Sequence, residues 1–212
     1  MKFIFKLLFL LTGIIQINMK NTIISLIHVI LCCCCLYLPT QTQAALVDDL
    51  KDGQHVLLMR HADAPGYGDP VGYVIGQCST QRNLGDYGKK QAKAIGSWLG
   101  KQGVETAQVF SSPWCRCFDT AILLNKGPTK IEPSLGSFFD NMSLEKRQTK
   151  ELEGFIKSEL SKQSKGPLIL ITHHVNIQAF TGKVVGVGDM VLVRVNKNGE
   201  HLSHTIYPSP KT

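Results

Sequence analysis

The 212-residue chain has no dense run of lysine and arginine with interleaved aromatics, so the electrostatic track a nucleic acid needs is missing and nucleic-acid binding is excluded as its main role. It has no internal repeat, which excludes a repeat architecture. No second cysteine or histidine lies at zinc-ligand spacing near Cys115 and Cys117, so no metal site is expected there. Residues 1–44 have no acidic side chain, although Lys2, Lys6 and Lys20 make them basic.

That basic segment reads as a signal peptide or membrane leader. It holds two apolar stretches, 3–17 and 23–38. Met19 and Lys20 supply an alternative start and n-region, 23–38 the h-region and 39–44 (PTQTQA) a polar exit, with cleavage after Ala44 or Ala45. The competing reading is a retained anchor, since 23–38 is only slightly short of the ~20 residues that span a bilayer. Pro39 and the small-residue exit weigh against an anchor, and the bulky Leu31 before Cys32 weighs against a lipoprotein. A periplasmic or secreted protein follows, with membrane contact only through an uncleaved leader.

Residues 45–212 have the length of one domain with a single core. The whole chain carries +7, and removing the leader lysines leaves a modest positive excess that suits a small anionic substrate. Four of the seven cysteines fall in the leader, leaving Cys78, Cys115 and Cys117. An odd count permits at most one bridge, Cys78 with Cys115 or with Cys117, because a Cys-x-Cys bridge is strained. Three buried thiols are the alternative.

Short apolar runs alternate with helical patterns. Strands are expected at 55–59, 108–112, 129–132 and 168–172, and a hairpin over 190–195 and 201–206 joined through 196–199. In segment 89–101, Ala92, Ile95, Trp98 and Leu99 form one stripe of an amphipathic helix, which makes Trp98 a core residue. A second helix is expected from Pro113, with proline in its first turn, a third over 143–162 with Leu152, Phe155, Ile156 and Leu160 inward, and a short one to Thr181. The fold class is α/β: a mostly parallel sheet with helices on both faces and an antiparallel edge hairpin. The Gly-, Pro- and Asp-rich segment 62–87 is long enough to be a binding loop over a pocket.

Strand 55–59 ends in Arg60 and His61, strand 168–172 in His173 and His174, and strand 108–112 is followed by Pro113 and, at a helix start, Arg116. Ligands in open α/β sheets sit beyond the carboxyl ends of strands, and charged residues there are solvated, paired or functional. Two guanidiniums match phosphate oxygens in bidentate geometry and stabilise an in-line transition state. A neutral imidazole can then attack phosphorus, forming a phosphohistidine that water hydrolyses. No metal or cofactor is required.

LMRHADAPG at 58–66, LGDYGKKQA at 84–92, SSPWCRCFDTA at 111–121 and ITHHVNI at 171–177 together resemble the histidine phosphatase superfamily, with its phosphoglycerate mutase-like fold, and in particular its short, exported bacterial members. The resemblance spans nearly all of 45–212. It implies a phosphate pocket of Arg60, His61, Arg116 and His173, with His61 phosphorylated and Arg82 a further phosphate contact. It also implies a small phosphorylated substrate, with an envelope sugar phosphate as the class.

Two positions depart from the family pattern. Where mutase-type members carry a glutamate acid after a Pro-x-Leu element, this chain has Gly136 or Ser137. Asp140 is the first candidate for the missing acid and Asp63 the second, since a carboxyl that protonates a leaving alkoxide needs burial or a negative neighbour. Where a glycine usually follows the second histidine stands His174, placed to narrow the pocket or assist proton transfer. The rival readings are a catalytically silent phosphate-binding or envelope protein on the same fold and a phosphoglycerate mutase.

Overall fold

A computed structural model describes residues 46–162 and 166–211. The leader and the alternatives for it lie outside the described residues. The elements run α1 (Leu46–Asp49), β1 (His55–Arg60), α2 (Asp86–Lys101), β2 (Gln108–Ser111), α3 (Cys115–Leu124) and β3 (Thr129–Ile131). They continue with α4 (Glu145–Ser161), β4 (Leu168–Thr172), α5 (His174–Thr181), β5 (Met190–Val195) and β6 (His201–Tyr207).

The strands form one sheet in the order β3-β2-β4-β1-β5-β6. β3, β2, β4 and β1 are parallel, while β5 and β6 add on antiparallel. This is the expected mostly parallel α/β sheet with an antiparallel edge pair. Successive strand residues face opposite sides, and both sides are covered, which is why the central strands are apolar throughout. Leu57, Met59, Ile169 and Ile171 pack with Ile95 and Leu99 of α2 and Ala121 and Leu124 of α3. Val56, Leu58, Leu168 and Leu170 pack with Leu152 and Ile156 of α4 and Ile177 and Phe180 of α5. Trp98 joins the first cluster from its edge, only partly buried, against Tyr207.

Helix starts are where the sequence expectation slips. Helix α3 begins at Cys115, with Trp114 as its extended N-cap, so Pro113 precedes the helix and does not occupy its first turn. A single 3-10 turn, Met142–Leu144, replaces the first turn expected for the third helix, and α4 follows it. Helix α2 starts earlier than its apolar stripe, at Asp86, because its opening turn packs on the loop after β1. A Cβ at Gly88 would stand 1.9 Å from the Asp63 carbonyl oxygen, so only glycine permits that approach.

The register between β1 and β4 positions the site. Arg60 pairs with Thr172, and the next residues on these two adjacent strands are His61 and His173. The His61 N–H still bonds the Thr172 carbonyl at 3.0 Å, and its own carbonyl accepts from Gly188 N at 3.1 Å. Two histidines separated by more than a hundred residues of chain thus leave the sheet side by side.

Candidate active site

All eight residues singled out in the sequence, Arg60, His61, Asp63, Arg82, Arg116, Asp140, His173 and His174, line one cavity of about 330 Å³. Its floor is the carboxyl end of β1 and β4 with the start of α3. Its roof is made of the loop after β1 and the segment after the 3-10 turn Pro133–Leu135.

His61 is 1 % exposed. Its Nδ1 lies 2.7 Å from the Ala62 carbonyl oxygen, an acceptor, so Nδ1 carries the proton and Nε2 keeps a lone pair with no partner among the described residues. Ala62 is itself held by its N–H donating to Thr120 Oγ1 at 3.0 Å. Burial, reinforced by the charges of Arg116, Arg60 and Arg82, pushes the imidazole pKa down to about 3 against the opposing Ala62 bond. The ring is therefore neutral across the physiological range, the state a nucleophile needs.

His173 stands edge-on to His61, ring centroids 5.5 Å apart. Its Nε2 meets Ser112 Oγ at 2.8 Å, and that oxygen also accepts from Trp114 N at 3.3 Å. With the Ser112 hydroxyl proton directed to Nε2, the His173 proton sits on Nδ1. Burial and the neighbouring charges hold its pKa well below the ordinary histidine value. The Cys117 thiol lies 3.4 Å from the same Nε2, and burial pushes that thiol up to about 12.

The guanidiniums are anchored by part of each fork. Arg60 Nη1 donates to Val185 O at 2.8 Å, and Arg116 Nη1 donates to Asp69 Oδ1 and Oδ2 at 2.8 and 3.0 Å. The Nε atoms of Arg60 and Arg116 are buried without a partner among the described residues. A buried, unsatisfied N–H is costly, and here two of them belong to charged guanidiniums that line the cavity. Arg82 Nε donates to Gly68 O at 2.8 Å, and its Nη1 contacts the Ala64 carbonyl.

Neither candidate acid is buried. Asp140 is exposed at the cavity rim, where Tyr73 Oη donates to its Oδ2 at 3.0 Å. Asp63 is half-buried beside the nucleophile, its N–H donating to Gln91 Oε1 at 2.8 Å. His174, at the start of α5, is half-buried, and its pKa is lowered by burial first and by the three arginines second. Among the described residues no group of three or more histidine, cysteine, aspartate or glutamate side chains is arranged to hold a metal ion.

Sequence reasoning missed Asp69. Its side chain is 3 % exposed and takes donors from Arg116, from Trp114 Nε1 at 3.1 Å and from Arg82 N at 2.9 Å. No local pattern marks it, because its partners come from elements distant in sequence. Ser112 was also missed, although its position beside Pro113 in the SSP motif is a usable signal. The cysteine alternatives resolve as a Cys78–Cys115 bridge, Cα atoms 5.6 Å apart, with Cys117 free and buried. The bridge joins the Arg82 loop to the helix turn carrying Arg116, and Cys115 N also donates to Gln81 Oε1 at 3.0 Å.

A sequence profile of the histidine phosphatase superfamily (branch 1) matches residues 56–168. No curated protein sequence matches the chain significantly. Among solved structures, the chain is similar to the protein histidine phosphatase SixA complexed with tungstate, at 18 % identity and a TM-score of 0.50 over 72 % of this chain and 94 % of that one. It is similar at 11 % identity, with the same score and coverage, to a phosphoserine phosphatase variant from Entamoeba histolytica in complex with phosphoserine. A mycobacterial glucosyl-3-phosphoglycerate phosphatase aligns at 15 % identity and a TM-score of 0.49, covering 72 % of this chain and 96 % of that one. At such identities the structural likeness speaks to fold alone, whereas the profile spans more than half of the chain: the protein belongs to the histidine phosphatase superfamily.

Proposed function

We propose that the protein is a metal-independent phosphomonoesterase working through a phosphohistidine on His61. The observation that carries this reading is the unpartnered Nε2 of a neutral, buried His61 sharing a cavity with two guanidiniums whose buried Nε–H groups have no partner. A phosphoryl group bound there would satisfy both forks bidentately.

The reaction runs in two displacements. His61 Nε2 attacks phosphorus in line, the P–N bond forms as the P–O bond to the alcohol breaks, and the alkoxide leaves with a proton from a rim carboxyl, Asp140 or Asp63. Water then attacks the phosphohistidine, giving its proton to the carboxylate left by the first step, the P–N bond breaks, and inorganic phosphate leaves with His61 and the carboxyl restored. Arg60, Arg116 and Arg82 stabilise the equatorial oxygens in both steps, and His173 contributes its Nδ1–H.

An exported location is part of the same proposal, with residues 1–44 as leader and 45–212 as the catalytic domain. The Cys78–Cys115 bridge supports it, because disulfides persist in oxidising compartments. A periplasmic or secreted enzyme of this kind would act on a small phosphorylated substrate such as an envelope sugar phosphate, touching membrane only through an uncleaved leader.

The experiment is release of phosphate from p-nitrophenyl phosphate with and without chelator. Turnover should be unchanged by chelation and abolished by His61→Ala, and brief exposure to substrate should label His61 with an acid-labile phosphoryl group. Chelator inhibition reversed by zinc or magnesium, or substantial turnover by His61→Ala, would overturn the proposal.

A further inference from the structure

The cavity commits its positive charge to one place. Among the described residues its cationic lining consists of Arg60, Arg82 and Arg116, the three guanidiniums assigned above to the phosphoryl group. His174 adds no charge at neutral pH, since burial and the three arginines keep its ring neutral. The remaining charged lining is acidic: Asp63 and Asp140, with Asp69 already paired to Arg116. A leaving group carrying a carboxylate or a second phosphate would meet no cation of its own and the like charge of whichever of Asp63 and Asp140 is not the proton donor, an arrangement that disfavours an anionic ligand.

The uncharged lining includes two aromatic rings, Tyr67 and Phe139. Tyr67 is 87 % exposed and meets the Phe139 ring edge to face at 5.3 Å. The Phe139 ring in turn lies 5.7 Å from the His174 ring. Tyr67 thus touches Phe139 and otherwise stands largely exposed, at the entrance to a polar floor. Rigid aromatic surfaces with a polar tip favour flat, partly apolar ligands at low entropic cost.

Resting on the phosphatase reading above, we propose that the leaving alcohol is uncharged and ring-bearing, an aryl or sugar ring laid against Tyr67 and Phe139, and that phosphomonoesters with an anionic leaving group are discriminated against. Specificity then comes from the roof, while the attacking nitrogen comes from the floor.

The test compares kcat/KM for 4-(2-hydroxyethyl)phenyl phosphate and 4-(carboxymethyl)phenyl phosphate, which are similar in size and leaving-group basicity but differ in charge, with acetyl phosphate as a small activated control. The carboxylate should be at least about tenfold poorer, with the gap narrowing as salt screens the charges. Tyr67→Ala should lose about tenfold on the neutral aryl ester, a stacking contribution, with acetyl phosphate turnover unchanged and Tyr67→Phe restoring the aryl rate. Tyr67 is exposed, so its loss does not endanger folding, and Phe139→Ala serves as the second probe. Equal rates on the charged and neutral esters, or a Tyr67→Ala variant with undiminished aryl preference, would overturn this inference while leaving the phosphatase intact. Failure to hydrolyse even acetyl phosphate would overturn both.

Discussion

The neutrality of His61 can be tested through stability, without any substrate. Its pKa is about 3 in the folded protein against 6.5 for the free side chain, so between those values the unfolded chain binds a proton that the folded one does not. Stability from this residue is therefore fully present above pH 6.5 and lost as pH falls toward 3. From pH 7 to pH 5 the loss from His61 alone is about 2 kcal/mol. His173, depressed in the same direction, adds to the slope. The measurement is urea unfolding at both pH values for the native protein and for His61→Gln, which removes the titration. The native protein should lose about 2 kcal/mol more than the variant over that interval. If the two share one pH dependence, His61 is not buried in the neutral state and its activation by environment is wrong.

Other expectations are equally direct. Arg116→Ala should lose about 2 kcal/mol or more of transition-state stabilisation, read as kcat/KM, with Arg116→Lys recovering only part because an ammonium cannot reproduce the fork. Asp69→Ala should destabilise the fold by about 3 to 5 kcal/mol, since it leaves Arg116 buried without its counter-charge; an unchanged Tm would show that the pair is solvated. Cys78→Ser, opening a bridge of sequence separation 37, should cost about 4 kcal/mol on the chain-entropy model, measured by denaturant titration. Asp140→Asn, if Asp140 is the acid, should slow alkyl phosphates severely and p-nitrophenyl phosphate little; the same contrast in Asp63→Asn alone would move the role there.

The floor of the site was legible because it obeys local rules. Runs such as LLMRH and LILITHH announce both a buried strand and the histidine at its end, and alternation with helical stripes implies the parallel sheet. The roof was not. Asp69 contacts Arg116 across 47 positions and Trp114 across 45, and Tyr73 reaches Asp140 across 67, so no window of sequence contains either pair. The choice between Cys115 and Cys117 as partner of Cys78 turned on the same point, because helix α3 starts two residues after Pro113 and its rotation selects which sulfur faces the loop. The helix starts slipped for a related reason: tertiary packing of Gly88 on Asp63, not capping chemistry, sets where α2 begins.

The division between a floor of central strands and a roof of loops has a consequence for how such a protein can diversify. Arg60, His61 and His173 are fixed by backbone pairing between β1 and β4, which tolerates little change. The roof is cross-braced from outside the sheet, by Tyr73 to Asp140 and by the Cys78–Cys115 bridge. Insertions or exchanges within residues 66–77 or 137–142 that keep Asp69 and Asp140 would alter which alcohols are admitted without moving the reacting nitrogen, since surface loops accept such change far more readily than strands do. The scaffold is in that sense modular: lineages, or a laboratory library restricted to those two segments, can explore new substrates from a constant catalytic apparatus.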